Sequence, residues 1–151
     1  MAGKTYSFID VTATYTNDLG QAFNLGYGSG ANVNEEGISI SRNGDKNTMT
    51  IGADGGGMHS LHADRSGSIT VRLLQTSPMN KALQDEYNRQ SRSSSTWGKG
   101  SFYIRMIASG DVITASNAAF KKLSDHGYKK DGGSIEWSFD CIEISQVLGT
   151  Y

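Results

Sequence analysis

Residues 52–57, Gly-Ala-Asp-Gly-Gly-Gly, are the stretch whose composition most suggests a binding loop. A loop that cradles phosphate places its glycines between a strand and a helix N-terminus, with Lys and Ser or Thr behind them. Here Met58-His59-Ser60-Leu61-His62 follows and alternates like a strand, so the stretch reads as a flexible turn. His59 and His62, with Asp64 close by, raise the question of a metal. Three apart on a strand, the two imidazoles point to opposite faces and do not grip one ion. His126 is remote in sequence. Cys141 shares a strand face with Trp137 and Phe139, the setting of a small buried hydrophobe rather than of a nucleophile with its base. Asp10, Asp54, Asp140 and Glu143 have no spacing that pairs them as catalytic carboxylates. Lys121-Lys122 and Lys129-Lys130 are small basic spots in a chain of net charge −1, which reads as solvated surface rather than a nucleic-acid site. No catalytic constellation stands out; the expectation is no enzyme, no metal and no cofactor.

The elements that would position any site are clearest in residues 67–92. Ile69, Val71 and Leu73 alternate with Ser68, Thr70 and Arg72, the two-residue period of a strand with one buried face. Thr76-Ser77-Pro78 then changes the period. Ser77 suits an N-cap and Pro78 the first helical position, where no amide hydrogen is needed. Met79, Ala82, Leu83 and Tyr87 follow at helical spacing, with Lys81, Asp85, Glu86 and Arg89 elsewhere on the wheel. Met79, Leu83 and Tyr87 are therefore expected to pack on a sheet. The serine run at 91–95 ends the helix.

The rest of the chain supplies that sheet. Nineteen glycines against one proline suit short strands joined by tight turns. At 151 residues the chain is expected to form one domain over 1–151, and no apolar run has signal-peptide or membrane-spanning length. The lone cysteine excludes an internal disulfide. Residues 6–16 read as a first strand with a bulge near Asp10, and 21–25 as its hairpin partner after the turn at 17–20. Residues 26–34 read as a mobile loop. Residues 37–42 and 47–51 read as two strands joined at Asn43-Gly44-Asp45-Lys46, the Asn-Gly signature of a hairpin turn. In that pairing Ile38, Ile40, Met49 and Ile51 share one face, and Ser39, Ser41, Thr48 and Thr50 share the other. Strands at 100–107, 112–116 and 134–144 complete a mainly β chain of about ten short strands. The architecture expected is a β-sandwich or barrel with one flanking α-helix.

What is unusual is a second strand face that is polar but nearly uncharged. Exposed strands of a monomer carry more Lys and Glu, which prevent pairing with other chains. Residues 37–80, GISISRNGDKNTMTIGADGGGMHSLHADRSGSITVRLLQTSPMN, resemble the central block of tail tube proteins from contractile-tailed bacteriophages. The opening TYSFIDVTATY and the closing GGSIEWSFDCIEI resemble the terminal strands of the same proteins. The resemblance implies hexameric rings that stack axially into a hollow conduit for DNA ejection inside a contractile sheath. It implies that the inner sheets join into a ring-wide barrel, with Ser39, Ser41, Thr48, Thr50 and Thr70 lining the lumen. Arg72 departs from an inert lining unless a carboxylate neutralises it. The partners implied are further copies of the chain, a sheath protein, baseplate and tail-terminator proteins, and a tape measure protein in the lumen. DNA passes transiently, no membrane is involved, and the site of action is the virion after assembly in the host cytoplasm. Two loops are expected at ring-to-ring surfaces, because ordering long glycine-rich loops is costly unless a partner offsets it. They contain Gly26, Gly28, Gly30 and Asn32, and Gly52, Asp54, Gly55 and Gly56. Competing readings are the inner tube of a bacterial contractile injection or secretion system, and a stand-alone β-sandwich binding module with Trp97 and Tyr103 as a sugar platform.

Overall fold

The computed structural model describes residues 3–28, 30–31 and 33–151. Among them are nine strands and one α-helix: β1 (Val11–Thr16), β2 (Ala22–Asn24), β3 (Val33–Arg42), β4 (Asn47–Ile51), β5 (Gly57–Leu61), β6 (Gly67–Leu74), α1 (Met79–Gln90), β7 (Gly100–Met106), β8 (Asp111–Phe120) and β9 (Ser134–Val147). Seven strands form one sheet in the order β2-β1-β7-β8-β9-β6-β3, with every neighbouring pair antiparallel. Strands β4 and β5 form a separate pair.

Alternation explains most of the sheet. Ile69, Val71 and Leu73 on β6 are buried, as are Ile135, Trp137, Phe139 and Cys141 on β9. Tyr15 on β1 is fully buried at the centre of an aromatic cluster, its ring centroid 5.0 Å from Phe102 and 5.1 Å from Phe139. Helix α1 lies over this core. Leu83 is fully buried, and Met79 and Tyr87 pack half-buried on either side of it. Tyr87 meets Phe120 edge-on at 5.6 Å and Trp97 at 5.9 Å. Ser77 starts the helix chemically: its Oγ accepts from the amide of Met79 at 3.2 Å and donates to the carbonyl of Ala31. The backbone is already helical at Pro78, so the regular bonds begin one residue later than the sequence suggests.

Two details near the ends of strands depart from expectation. Phe8–Asp10 form a 3₁₀ turn, with the Ser7 hydroxyl accepting from the amide of Ile9, and β1 begins only at Val11. The offset between Phe8 and Val11 is thus a helical turn, not a bulge at Asp10. A bulge does occur in β8. Asn117 has φ 53°, and the pairing of β7 with β8 slips by one residue beside it. The slip changes which residues face inward, so that Ala115 is buried and then Ala118 and Phe120.

The largest correction concerns β3 and β4, which do not pair. Strand β3 pairs with β6, and β4 with β5. Consecutive in sequence on both sides, these four strands make one long two-stranded ribbon. Its ladders, Arg42↔Gly67 and Asn47↔Leu61, are separated by an irregular stretch where the amide of Asn43 donates to the carbonyl of Ser66 and that of His62 to the carbonyl of Lys46. The reversal of the chain is at residues 52–56, where the amide of Gly52 donates to the carbonyl of Gly56 and Gly55 has φ 89°. Neither Asn43 nor Gly44 has the positive φ that the expected hairpin turn requires. Consequently Ile38 and Ile40 pack against the core, while Met49 and Ile51 stand exposed on the projecting part of the ribbon.

Candidate functional site

The helix covers the inner face of the curled sheet, which leaves its outer face open. On β3, β6 and β9 that face is a strip of hydroxyls. Ser39 is paired with Thr70 and Ser41 with Ser68, and the Ser41 and Ser68 hydroxyls are 2.9 Å apart. Thr70 Oγ1 lies 3.4 Å from Ser138 Oγ on β9. Arg72 sits in this strip, and its charge is answered: Glu136 Oε2 is 3.4 Å from its Nε, while its Nη1 donates to Ser39 Oγ at 2.8 Å. The same face continues across the sheet through Thr114 and Ser116 on β8, Ser101 on β7 and Thr12 on β1, all exposed. Those further positions share with Ser39 and Ser41 the two-residue period, but only the sheet order shows that they form one surface.

Thr48 and Thr50 stand apart from that strip, on the projecting ribbon. Residues opposite one another in an antiparallel pair share a side. Thr48 and Thr50 therefore lie with Ser60 and Met58, and Asn47, Met49 and Ile51 lie with Leu61, His59 and Gly57. One side is mostly polar and the other mostly apolar. The histidines divide likewise: His59 Nδ1 is 3.1 Å from Asn47 Nδ2, and His62 Nε2 is 2.7 Å from Thr48 Oγ1. Among the described residues no cluster of three His, Cys, Asp or Glu has the geometry to hold a metal.

The loop candidates separate in the same manner. Gly52, Asp54, Gly55 and Gly56 form the exposed tip of the ribbon, where Asp54 Oδ1 accepts from the amide of Gly56 at 3.0 Å. Gly28 and Gly30 are exposed with φ 78° and 79°, before the other end of β3. Gly26 is different: it is buried, and a Cβ there would come within 2.7 Å of the Val11 carbonyl. The amides of Leu25 and Tyr27 bond to β1, so Gly26 is a close backbone approach rather than part of a mobile loop. Asn32 lies outside the described residues.

Other polar groups serve the fold. Glu86 is 4% exposed, yet its carboxylate is held by Arg89, by Gln90 Nε2 at 2.6 Å and by Asn17 Nδ2 at 3.1 Å. Burial raises its pKa, but these donors outweigh burial and hold it below the usual carboxylate range. Arg89 also pairs with Asp18, whose carboxyl is lowered by that bond. Gln90 donates to the hydroxyl of Tyr15 at 2.9 Å, and burial pushes that phenol up to about 12. The network ties the turn after β1 to the helix, and it was invisible in the helical pattern, which set Glu86 only outside the apolar stripe. Burial first, and Asp140 second, push the Cys141 thiol up to about 11, the reverse of an activated nucleophile. Glu143 is paired with Arg65 at 3.1 Å. Trp97 packs half-buried on the core beside Tyr87 and Phe120, while Tyr103 is 45% exposed on the outer sheet face, so the two do not form one platform. Among the described residues no helix is long and apolar enough to cross a membrane.

Solved structures share this arrangement. A chain from the sheath–tube complex of an extracellular contractile injection system (PVC, extended state) aligns with TM-score 0.60 at 14% identity, covering 95% of this chain and 92% of that one. A chain from the sheath/tube terminator of the same kind of system aligns with TM-score 0.62 at 16% identity, covering 97% and 99%. One from the tube-terminating cap of the anti-feeding prophage gives 0.61 at 11%, covering 99% and 95%. At such identities the likeness is one of fold. No curated protein sequence matches significantly. The family of bacteriophage PhiTE tail tube proteins matches residues 2–149, nearly the full chain. The fold is mainly β with a projecting ribbon, and the chain belongs to the bacteriophage PhiTE tail tube protein family, as a structural subunit of a phage tail tube.

Proposed function

We propose that copies of this chain form six-membered rings which stack into the tube, with the outer face of β3, β6 and β9 turned to the channel. The observation that carries this is the hydroxyl strip of Ser39, Ser41, Ser68, Thr70 and Ser138, whose embedded Arg72 is neutralised by Glu136. A conduit for DNA should not hold its cargo, and unpaired cations would exchange for counterions on the phosphates and bind. The polar side of the ribbon, Thr48 and Thr50, extends the same inert lining. Gly28 and Gly30 lie before one end of β3 and the ribbon tip lies beyond the other, so the two loops suit opposite surfaces of a ring. The chain as a whole acts as one wall unit, and no catalytic step is assigned to it.

Chains of similar fold occur in a sheath–tube complex, a sheath/tube terminator and a baseplate. That supports a sheath protein, a terminator and a baseplate as partners of this chain in the virion; assembly in the host cytoplasm around a tape measure protein belongs to the proposal without support from that likeness. The same likeness favours one second reading, the inner tube of an injection machine that carries no genome.

Electron microscopy of the concentrated protein tests the assembly: hollow rings or tubes are expected, and a monodisperse monomer would overturn it. The lining is tested in particles carrying Ser39→Lys with Ser41→Lys, or Thr48→Lys with Thr50→Lys. Each lysine recurs six times around the bore, so DNA ejection should slow at low salt and recover as salt is added. Normal ejection at low salt from the first pair would show that the sheet face is not the lumen. Normal ejection from the second would remove the ribbon.

A further inference from the structure

The last rung of β9, Val147 opposite Val112, is followed by four residues that turn back over the end of the sheet. The amide of Gly149 donates to Asp111 Oδ1 at 2.7 Å. Gly149 also lies so close to the turn between β7 and β8 that a Cβ there would come within 1.8 Å of the Ser109 carbonyl oxygen. Beyond it Tyr151 reaches a cleft of about 480 Å³, lined also by Phe8, Val11, Ile38, Ile40 and Ile113. No residue of α1 borders this part of the inner face. The contacts hold the segment loosely. One hydrogen bond anchors it, Tyr151 remains 48% exposed, and the Ser109 hydroxyl beside it is buried with no hydrogen-bond partner among the described residues. Fixing four residues costs backbone freedom at each of them, and an orphaned buried hydroxyl adds to that cost.

We propose that residues 148–151 are a strap which, while closed, keeps the free subunit from joining other copies, and which opens before a ring forms. The inference rests on the tail tube reading and adds a gate to it. What the strap reaches would otherwise be adhesive. Edge strand β3 is paired on one side, by β6, and its Ile38 and Ile40 line the same cleft as Tyr151. An edge with unpaired amides and carbonyls beside apolar side chains joins other chains unless something covers it. A strap held by one hydrogen bond opens readily, so it slows association without forbidding it. Its effect depends on how many straps must be open together. With about one subunit in ten open, adding one subunit to a growing end slows about tenfold, while a new ring of six slows about a millionfold. The strap therefore suppresses the start of new tubes far more than the growth of existing ones.

Two substitutions open the strap by different means. Gly149→Ala adds a methyl that the Ser109 carbonyl excludes, and Asp111→Asn weakens the anchor. A spin label on Thr150→Cys reads the strap directly, since native Cys141 is 2% exposed and stays unlabelled. The label should be partly immobilised in the free subunit and fully mobile once Gly149→Ala is added. Light scattering from purified subunits then measures the lag before tubes appear. The lag should shorten at least tenfold in Gly149→Ala and by less in Asp111→Asn, with circular dichroism of the subunit and tube diameter unchanged. If Gly149→Ala does not fold, Asp111→Asn carries the test, with a shorter lag and a more mobile label expected. A label equally mobile with and without the opening substitution would overturn the strap. A released label with an unchanged lag would overturn the gate and leave the segment a mere cover. Tubes from the unsubstituted chain leave the tube reading standing in both cases. No rings or tubes from any of these chains would overturn that reading and the gate together.

Discussion

Glu86 carries a charge into the interior, and three donors on two elements keep it there. Its folded pKa lies below the unfolded value of about 4.3. The stabilisation is therefore present in full above that value and is lost as pH falls through the folded one. Glu86→Ala should cost about 3 kcal/mol at pH 7, where Arg89 loses its inner partner, and less at about pH 3, below the unfolded value. Chemical denaturation at the two pH values checks this; equal losses would mean the carboxylate contributes no charge pairing. Leu83→Ala should cost about 2–5 kcal/mol, since Leu83 is fully buried. A melting shift corresponding to less than about 0.5 kcal/mol would show that the cavity closes over. Leu83 was legible from helical spacing alone. Glu86 was not, because its partner Asn17 lies 69 residues away and no local pattern records such a contact.

At the scale of elements, alternation gave β6 and β7 to within a residue and the start of β9, which runs on to Val147 rather than ending at residue 144, while pairing partners had to come from the structure. Asn43-Gly44 carries the composition of a tight turn and makes only an irregular junction in the ribbon, whereas Gly55 makes the reversal. The reason is physical: β3 gains more from pairing with β6, where Ile38 and Ile40 meet the core, than from a local turn to an exposed β4. Substitution should separate the two glycines. Gly55→Ala forces a side chain into φ 89° and should cost the ribbon about 1 kcal/mol or more. Gly44→Ala meets nothing closer than Asp64 Oδ2 at 3.4 Å and should be near neutral. Hydrogen exchange across residues 47–61 measures both effects. The same experiment on free subunit and tube should show the tip, residues 52–56, protected only in the tube; equal protection would take the tip away from any interface.

For the whole molecule, the mainly β class with one helix could be read from glycine content and period, and the family from the order of its segments. Sheet order could not, since it depends on which distant strands bury each other's faces. The assembled interface is expected to exceed about 2,000 Å² per ring contact, as obligate assemblies do. Sedimentation over a wide concentration range should show species larger than a monomer; monomer throughout, without tubes by microscopy, would be incompatible with a tube subunit. A chain of net charge −1 has little self-repulsion to oppose such packing, and salt should therefore change assembly less than it changes ejection from the lysine variants.

The ribbon has one more property, which concerns length. From Asn47↔Leu61 to Ile51↔Gly57 its projecting ladder has five rungs. If its tip and apolar side meet the neighbouring copy, those rungs act as a gauge that sets the pitch of the tube. Two residues added to each strand lengthen the gauge by about 6.8 Å and keep each side chain on its side. One residue added to each strand lengthens it by half as much and turns Met49, Ile51 and Leu61 over to the other side. The helical rise of such tubes should thus change in even steps only, and odd-numbered insertions should yield subunits that fold but do not stack.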